Sequence, residues 1–196
     1  MKRIVLFSTL TASNKKTILS RILPKEMQNK TIAYIPSGGT EGAQEYIKQW
    51  EAIARKYDAN FNSINNRSQS VEEKDKLLDS NILVISGGNT FYLLQNLRQS
   101  GLDTTIRQFL NKPDFVLSGF SAGAIVLTPT IKVCNLPGFD ENTIGLKNLS
   151  SLNVVDFEIF PHYKKELHEK MLIDYKKNTE NSVREITDEH YISIDL

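Results

Sequence analysis

Cysteine is almost absent from this chain of 196 residues, which carries a single one, Cys134. One cysteine cannot form an intramolecular disulfide, so the composition predicts a chain that works in a reducing, cytoplasmic compartment. A charge excess is also missing, because 24 basic residues stand against 23 acidic ones and leave a net charge of +1. We therefore expect no nucleic-acid partner, since no overall basic field would attract one.

Long apolar runs are missing as well, and none approaches the length of a membrane span, so no membrane partner is expected. The N-terminal apolar run, residues 4–7, is too short for the core of a signal peptide and is better interpreted as a first β-strand. No internal repeat, linker or low-complexity segment interrupts the chain. With 40% hydrophobic residues, this predicts one globular domain over residues 1–196.

Short apolar runs alternate with helical patterns along the chain. The predicted strands are residues 4–7, 31–35, 82–85, 115–117, 157–160 and 191–194, with a shorter candidate at 61–64. The predicted helices are residues 17–23, 46–57, 71–79 and 164–177, and a further helix that follows Thr90 and ends at Gly101. Strands separated by helices pair in parallel, so we predict an α/β fold in three layers with a doubly wound, mostly parallel sheet.

The stretch with the clearest chemical pattern is LSGFSAGA, at residues 117–124. It contains the pattern G-x-S-x-G, in which a strand turns sharply into a helix and presents Ser121 at the corner. In that arrangement the backbone N–H of Ala122 points to where an oxyanion would form. The same five residues also fit an ordinary glycine-rich turn between a strand and a helix, so other parts of the chain must decide.

Two more loops of small residues are predicted at the carboxyl ends of strands, where ligands bind in doubly wound folds. They are residues 37–39 and residues 86–90, with the sequence SGGNT. Free N–H groups at the start of the helix after the second loop would suit a phosphate or an oxyanion. The absence of a Walker lysine and of a full G-x-G-x-x-G weakens the phosphate interpretation, and for this loop in isolation a plain tight turn is favoured.

A serine nucleophile needs a base, and the chain has three histidines. His162 directly follows a predicted strand, which places it at a strand end, where a base should lie. His168 falls within a predicted helix and is interpreted as solvated, and His190 lies in a turn. None has a second His or Cys at ligand spacing, so we expect no metal.

Three segments carry a resemblance to a known family. They are GGNTF at residues 87–91, GFSAGA at 119–124 with PTI at 129–131, and FPHY at 160–163. Together they resemble the peptidase E (α-aspartyl dipeptidase) and cyanophycinase family of serine peptidases. The resemblance spans most of the chain and implies a fold similar to the class I glutamine amidotransferases.

The resemblance also implies roles for individual residues. Ser121 would be the nucleophile and His162 the general base and acid. The N–H groups of Gly88 and Ala122 would form the oxyanion hole. No cofactor is implied.

A third triad member is implied late in the chain, in a turn before an apolar strand. Residues 187–192, TDEHYI, match this context, and Glu189 is the preferred acid with Asp188 as the alternative. Peptidase E also has an aspartate shortly after its serine corner, but residues 133–137 here contain no carboxylate, which favours the late glutamate. Asp140 and Glu141 lie close by and stay open as residues that line the pocket.

The implied activity is hydrolysis of short peptides through an acyl-enzyme, as an exopeptidase or dipeptidase. The family's preference for N-terminal aspartate would need a cation near the site, for which Lys164 and the adjacent Lys165 are the candidates. The loop residues Gly87, Asn89 and Thr90 are expected to contact the substrate as well. The expected partner is a small peptide, and the chain is expected to be a monomer or homodimer.

Two alternative functions remain at this point. One is an amidotransferase-like or esterase-like acyl-transfer enzyme on the same fold, although such glutaminases commonly carry cysteine at the position of Ser121. The other is a catalytically silent module that keeps the loops as a pocket for a small ligand. A Glu189 side chain that points away from His162 would favour the silent module.

Overall fold

The computed structural model describes residues 1–38 and 43–196 of the chain. Its strands are β1 (Lys2–Phe7), β2 (Thr31–Ile35), β3 (Asn60–Ser63), β4 (Ile82–Ile85), β5 (Phe115–Phe120), β6 (Phe157–Phe160), β7 (Ser182–Glu185) and β8 (Tyr191–Asp195). Its helices are α1 (Lys15–Ile22), α2 (Ala43–Lys56), α3 (Val71–Leu78), α4 (Thr90–Ser100), α5 (Leu102–Phe109), α6 (Ala122–Ile125) and α7 (Lys165–Asn178), with a 3-10 helix at Lys132–Asn135. Gly39, the last residue of the predicted loop at 37–39, lies outside the described residues.

Six strands form the main sheet, in the order β3-β2-β4-β5-β1-β8. Neighbouring strands are parallel throughout, except at one edge, where β8 pairs antiparallel with β1. The predicted α/β fold with a mostly parallel sheet is therefore confirmed. The strand predicted at residues 157–160 is also present as β6, but it pairs in parallel with β7 in a separate two-stranded sheet.

The continuous apolar run of β4 is explained by burial on both faces of the main sheet. Ile82 and Val84 belong to a buried cluster with side chains of α1 and α2, whereas Leu83 and Ile85 belong to the cluster packed against α4 and α5. A strand covered by helices on both faces needs apolar side chains at every position. These two clusters are the two interfaces of a three-layer architecture.

Strand register brings three loops to one edge of the main sheet. Ile85 at the end of β4 lies opposite Gly119 in β5, and Phe7 at the end of β1 lies opposite Phe120. The segments that follow β1, β4 and β5 therefore open side by side at the carboxyl edge, where this fold class binds ligands. Among the described residues, no helix is both long and apolar enough to cross a lipid bilayer.

Candidate active site

Ser121 occupies a strained corner between β5 and α6. Its backbone angles are φ 49° and ψ −117°, outside the regions that L-residues ordinarily adopt. The conformation is held from both sides: the Ser121 N–H donates to the carbonyl of Phe7, and its own carbonyl accepts from Ala124 and Ile125, each at 3.0 Å. Strain that the surrounding bonds maintain in this way is typical of functional positions.

Close backbone packing demands glycine on both sides of Ser121. A Cβ on Gly119 would lie 2.3 Å from the carbonyl oxygen of Gly123, and a Cβ on Gly123 would lie 2.0 Å from that of Ile85. Both neighbours are backbone atoms, which cannot move aside as the end of a flexible side chain can. The two glycines of the G-x-S-x-G pattern therefore allow α6 to start directly against the end of β4.

Gly123→Ala is expected to destabilise the protein by about 3 kcal/mol, because α6 must move away from β4 to admit a methyl group. Gly145→Ala is the control, since the added Cβ would meet no atom within 4 Å, although Gly145, unlike Gly123, has a positive φ of 63°. That control should cost only about 1 kcal/mol of backbone strain. Urea unfolding monitored by circular dichroism measures both, and equal losses in the two variants would contradict the packing argument.

His162 connects Ser121 to a carboxylate in a continuous chain of hydrogen bonds. The His162 Nε2 lies 3.0 Å from the Ser121 Oγ, and the His162 Nδ1 lies 2.6 Å from the Asp188 Oδ1. With the ring proton on Nδ1, the imidazole donates to Asp188 and its Nε2 accepts the serine hydroxyl proton. His162 follows the end of β6, as predicted, and has a positive φ of 55°.

Glu189, the preferred acid in the sequence analysis, lies elsewhere. Its carboxylate accepts hydrogen bonds from the hydroxyls of Ser13 and, at 3.4 Å, of Thr11, both in the loop between β1 and α1. The preference for Glu189 is therefore corrected in favour of the alternative, Asp188. The physical reason is the turn itself, because consecutive side chains in the turn after β7 point in different directions and only one of them faces His162.

The loop after β4 lies against the serine corner, where the second oxyanion donor was predicted. A Cβ on Gly87 would be 3.2 Å from the Cβ of Ser121. Gly88 has a φ of 135°, a conformation in which only glycine is unstrained. On the other side, Ala122 begins α6, so its N–H has no acceptor within the helix. Ala122 thus follows Ser121 directly, and Gly88 follows the glycine that packs against the Ser121 side chain.

Asn89 and Thr90, predicted to contact substrate, are engaged within the protein. Asn89 caps α4 by accepting the N–H of Tyr92 and also donates to the carbonyl of Glu141 at 3.0 Å. Thr90 donates to one oxygen of Asp140 from its N–H, at 2.7 Å, and from its hydroxyl, at 2.5 Å. These bonds attach the loop that carries Asp140 to the start of α4, where a carboxylate is favoured.

A cavity of about 190 Å³ opens beside the serine and the histidine. It is lined by Ser121, Ile125, Pro137, Gly138, Phe139, Asp140, Pro161, His162 and His168. Asp140 thus lines the pocket, one of the two options that the sequence left open, and Glu141 does not.

Lys164, a predicted cation, is exposed and absent from the lining, and its backbone N–H donates to the Nδ1 of His168 at 3.1 Å. His168 was interpreted as a solvated helix residue, but it lines the pocket, and nothing in its position within the predicted helix indicated this.

Cys134 is the one thiol in the chain, and it is buried. Burial raises the pKa of Cys134 to about 12, with a hydrogen bond to Thr90 opposing the shift. A thiol with such a pKa is protonated at neutral pH and is a poor nucleophile. Over residues 1–38 and 43–196, no three His, Cys, Asp or Glu side chains are grouped so that they could hold a metal ion.

Comparison with known proteins gives a consistent result. The model of peptidase family S51 matches residues 4–195. An uncharacterized peptidase of Listeria monocytogenes is 29% identical over 173 residues, which cover 85% of this chain and 84% of that protein. A peptidase E of Nostoc sp. is 32% identical over 136 residues, or 68% of this chain and 52% of that protein. A crystal structure of a protein assigned as peptidase E from Listeria monocytogenes EGD-e superimposes with a TM-score of 0.76, at 25% identity, over 100% of this chain and 99% of that one.

Proposed function

The chain belongs to peptidase family S51, and we propose that this peptidase is of the serine type and acts on short peptides. The proposed nucleophile is Ser121, the general base and acid is His162, and the carboxylate that orients His162 is Asp188. The observation that carries the proposal is the hydrogen-bonded chain from the Ser121 Oγ through both ring nitrogens of His162 to Asp188. A serine hydroxyl is activated as a nucleophile when a base accepts its proton and a third group holds that base in the right orientation.

The reaction follows from these positions. His162 Nε2 takes the hydroxyl proton as the Ser121 Oγ bonds to the carbonyl carbon of the scissile peptide. The N–H groups of Gly88 and Ala122 would donate to the oxyanion that forms. The proton on Nε2 then passes to the leaving amine as the C–N bond breaks, and an acyl-enzyme remains. Water attacks the ester with His162 again as base, releasing the carboxylic acid and restoring the Ser121 hydroxyl.

Two observations support this function over the alternatives. Cys134 is buried, and burial raises its pKa to about 12, so it offers no second nucleophile for a glutaminase-like reaction. A Glu189 side chain directed away from His162 was the expected sign of a silent binding module, and Glu189 does contact Ser13 and Thr11 instead. Asp188 fills the position instead, at 2.6 Å from the ring. An oriented base beside a strained serine supports catalysis rather than simple binding.

The charge of the pocket supports a substrate class different from N-terminal aspartyl peptides. Among the described residues that line the cavity, Asp140 is the one carboxylate, and no lysine or arginine is present. A substrate carboxylate would face a like charge there, with no lysine or arginine among those lining residues to bind it. We propose that the enzyme prefers short peptides with neutral or basic N-terminal residues.

A set of dipeptides and aminoacyl amides that differ only in the N-terminal residue tests this function. We expect hydrolysis of leucyl and lysyl substrates, with kcat/KM for the aspartyl substrate lower by roughly tenfold or more, or about 1.4 kcal/mol. Asp140→Asn, which keeps an acceptor for Thr90, should reduce that difference. If none of the substrates were hydrolysed, the proposal that the enzyme cleaves short peptides would be wrong. If the aspartyl substrate were hydrolysed fastest, only the argument from the charge of the pocket would be wrong.

A further inference from the structure

The main sheet and the small sheet contribute different members of the proposed triad. Ser121 follows β5 of the main sheet, whereas His162 follows β6 and Asp188 follows β7 of the two-stranded sheet. Across the described residues, no strand of one sheet pairs with a strand of the other. Main-chain pairing therefore does not set the distance between the serine and its base, and other contacts must do so.

One short segment, residues 7–14, supplies hydrogen bonds to all three triad residues. Its first contact is with the nucleophile, since the carbonyl of Phe7 accepts the Ser121 N–H at 3.0 Å. This bond continues the ladder between β1 and β5 by one residue and holds the strained corner in place. The same segment continues into the loop before α1.

Ser8, the next residue, connects both strands of the small sheet to the end of β1. Its hydroxyl accepts the His162 N–H at 2.9 Å and donates to the carbonyl of Ile186 at 2.9 Å. Ser8 is 1% exposed, so water does not compete for either bond. His162 has a positive φ, a strained conformation that its surroundings must hold. The bond from its N–H to Ser8 helps to hold that conformation and so fixes the direction of the ring.

Asn14 performs the corresponding role for the acid. Its Nδ2 donates to the carbonyl of Asp188 at 2.6 Å and to that of Thr9 at 3.0 Å. Its Oδ1 accepts the N–H of Thr11 at 2.8 Å, so a buried amide, 5% exposed, uses both its donors and its acceptor. The bond to Asp188 fixes the backbone of the residue whose carboxylate contacts His162.

We infer that the segment 7–14 positions the triad, with Ser8 and Asn14 as positioning residues that hold the base and the acid against the nucleophile. The inference rests on the proposed function for its catalytic consequence. Neither side chain touches the reacting atoms. Their removal should therefore leave the pocket able to bind a ligand but displace His162 and Asp188 relative to Ser121, and small displacements of such groups are costly to the rate.

The test uses Ser8→Ala and Asn14→Ala with two controls that lose a similar buried bond elsewhere. The first control is Ser118→Ala, because the buried Ser118 hydroxyl donates to the carbonyl of Val5 at 3.0 Å. The second is Asn66→Ala, because the buried Asn66 amide donates to the carbonyl of Pro36 at 2.5 Å. Melting temperatures of all four variants show how much each lost bond matters for the fold.

The first readout is covalent labelling of Ser121 by a fluorophosphonate, measured as the maximal labelling rate and the half-saturating probe concentration. Ser8→Ala and Asn14→Ala should lower the maximal rate by about 10- to 100-fold with little change in half-saturation. The controls should keep the wild-type rate at similar melting temperatures. Equal rates in all four variants, or equal losses in controls and test variants, would overturn the inference.

The second readout does not depend on activity. The proton between His162 and Asp188 should give a ¹H resonance far downfield of the amide region. Loss of this resonance in Asp188→Asn would assign it to that proton. Ser8→Ala and Asn14→Ala should shift or abolish this signal, and the two controls should retain it. A wild-type protein that is not labelled would count against the proposed function, whereas an unchanged downfield signal in both test variants would count against the positioning segment.

Discussion

Ser121→Ala is expected to abolish peptide hydrolysis, lowering kcat by roughly 10⁶-fold, because the attacking oxygen itself is removed. The fold should survive, since the one side-chain hydrogen bond of Ser121 recorded in the described residues is the contact with His162. Alanine also keeps the small size that the corner requires. Hydrolysis of the best dipeptide from the substrate set, together with the melting temperature, measures the two effects separately.

Ser118→Ala is the matched control for this experiment. It removes a serine hydroxyl from β5, the strand that leads to Ser121, and this hydroxyl is buried and bonded to Val5 rather than to a catalytic group. We expect the control to hydrolyse the peptide at nearly the wild-type rate. A fluorophosphonate should label the wild type and Ser118→Ala but leave Ser121→Ala unmodified by mass spectrometry. Retention of most of the activity in Ser121→Ala would show that the nucleophile lies elsewhere.

Asp188→Asn is expected to lower kcat by about 10⁴-fold, the second largest effect we predict. The substitution is isosteric, but an amide that donates toward Nδ1 favours the ring tautomer with its proton on Nε2, which cannot accept the serine proton. It also removes the charge that stabilises the protonated imidazole. Steady-state hydrolysis of the same dipeptide gives the measurement, with KM expected to change far less than kcat.

Glu189→Gln is the control, because Glu189 is the neighbouring carboxylate in the same turn and contacts Ser13 and Thr11 instead of His162. We expect its kcat to stay within a few-fold of the wild type, since exposed polar contacts contribute little. The opposite ranking, with Glu189→Gln inactive and Asp188→Asn active, would restore the glutamate as the acid. The pair of variants thus decides between two adjacent residues.

Much of the proposed active site at the carboxyl edge of the main sheet was predictable, because short sequence patterns indicate the local structure that they form. The G-x-S-x-G pattern indicated the corner at Ser121, and its glycines are explained by contacts with backbone atoms close by. His162 was singled out because it follows a predicted strand, which is present as β6. Resemblance to peptidase E is confirmed by the family match and by the relatives.

The choice between Asp188 and Glu189 was not predictable in this way. Both are carboxylates in one turn, so composition and spacing describe them equally well. Their directions are set by the loop between β1 and α1, where Ser13 and Thr11 bind the Glu189 carboxylate and Asn14 binds the Asp188 backbone. That loop lies more than a hundred and seventy residues away in the chain, and its polar side chains carried no signal of the contact.

The sequence by itself determined the alternation of strands and helices, the mostly parallel sheet, the strained serine corner and the family. These depend on periodicity, on small residues at tight turns and on motifs, all of which act over a few neighbouring residues. Only the tertiary structure decided which acid meets His162, that Asp140 and His168 line the pocket, and that residues 7–14 connect the two sheets. Those features depend on contacts between distant segments, whose geometry arises when the sheets pack together.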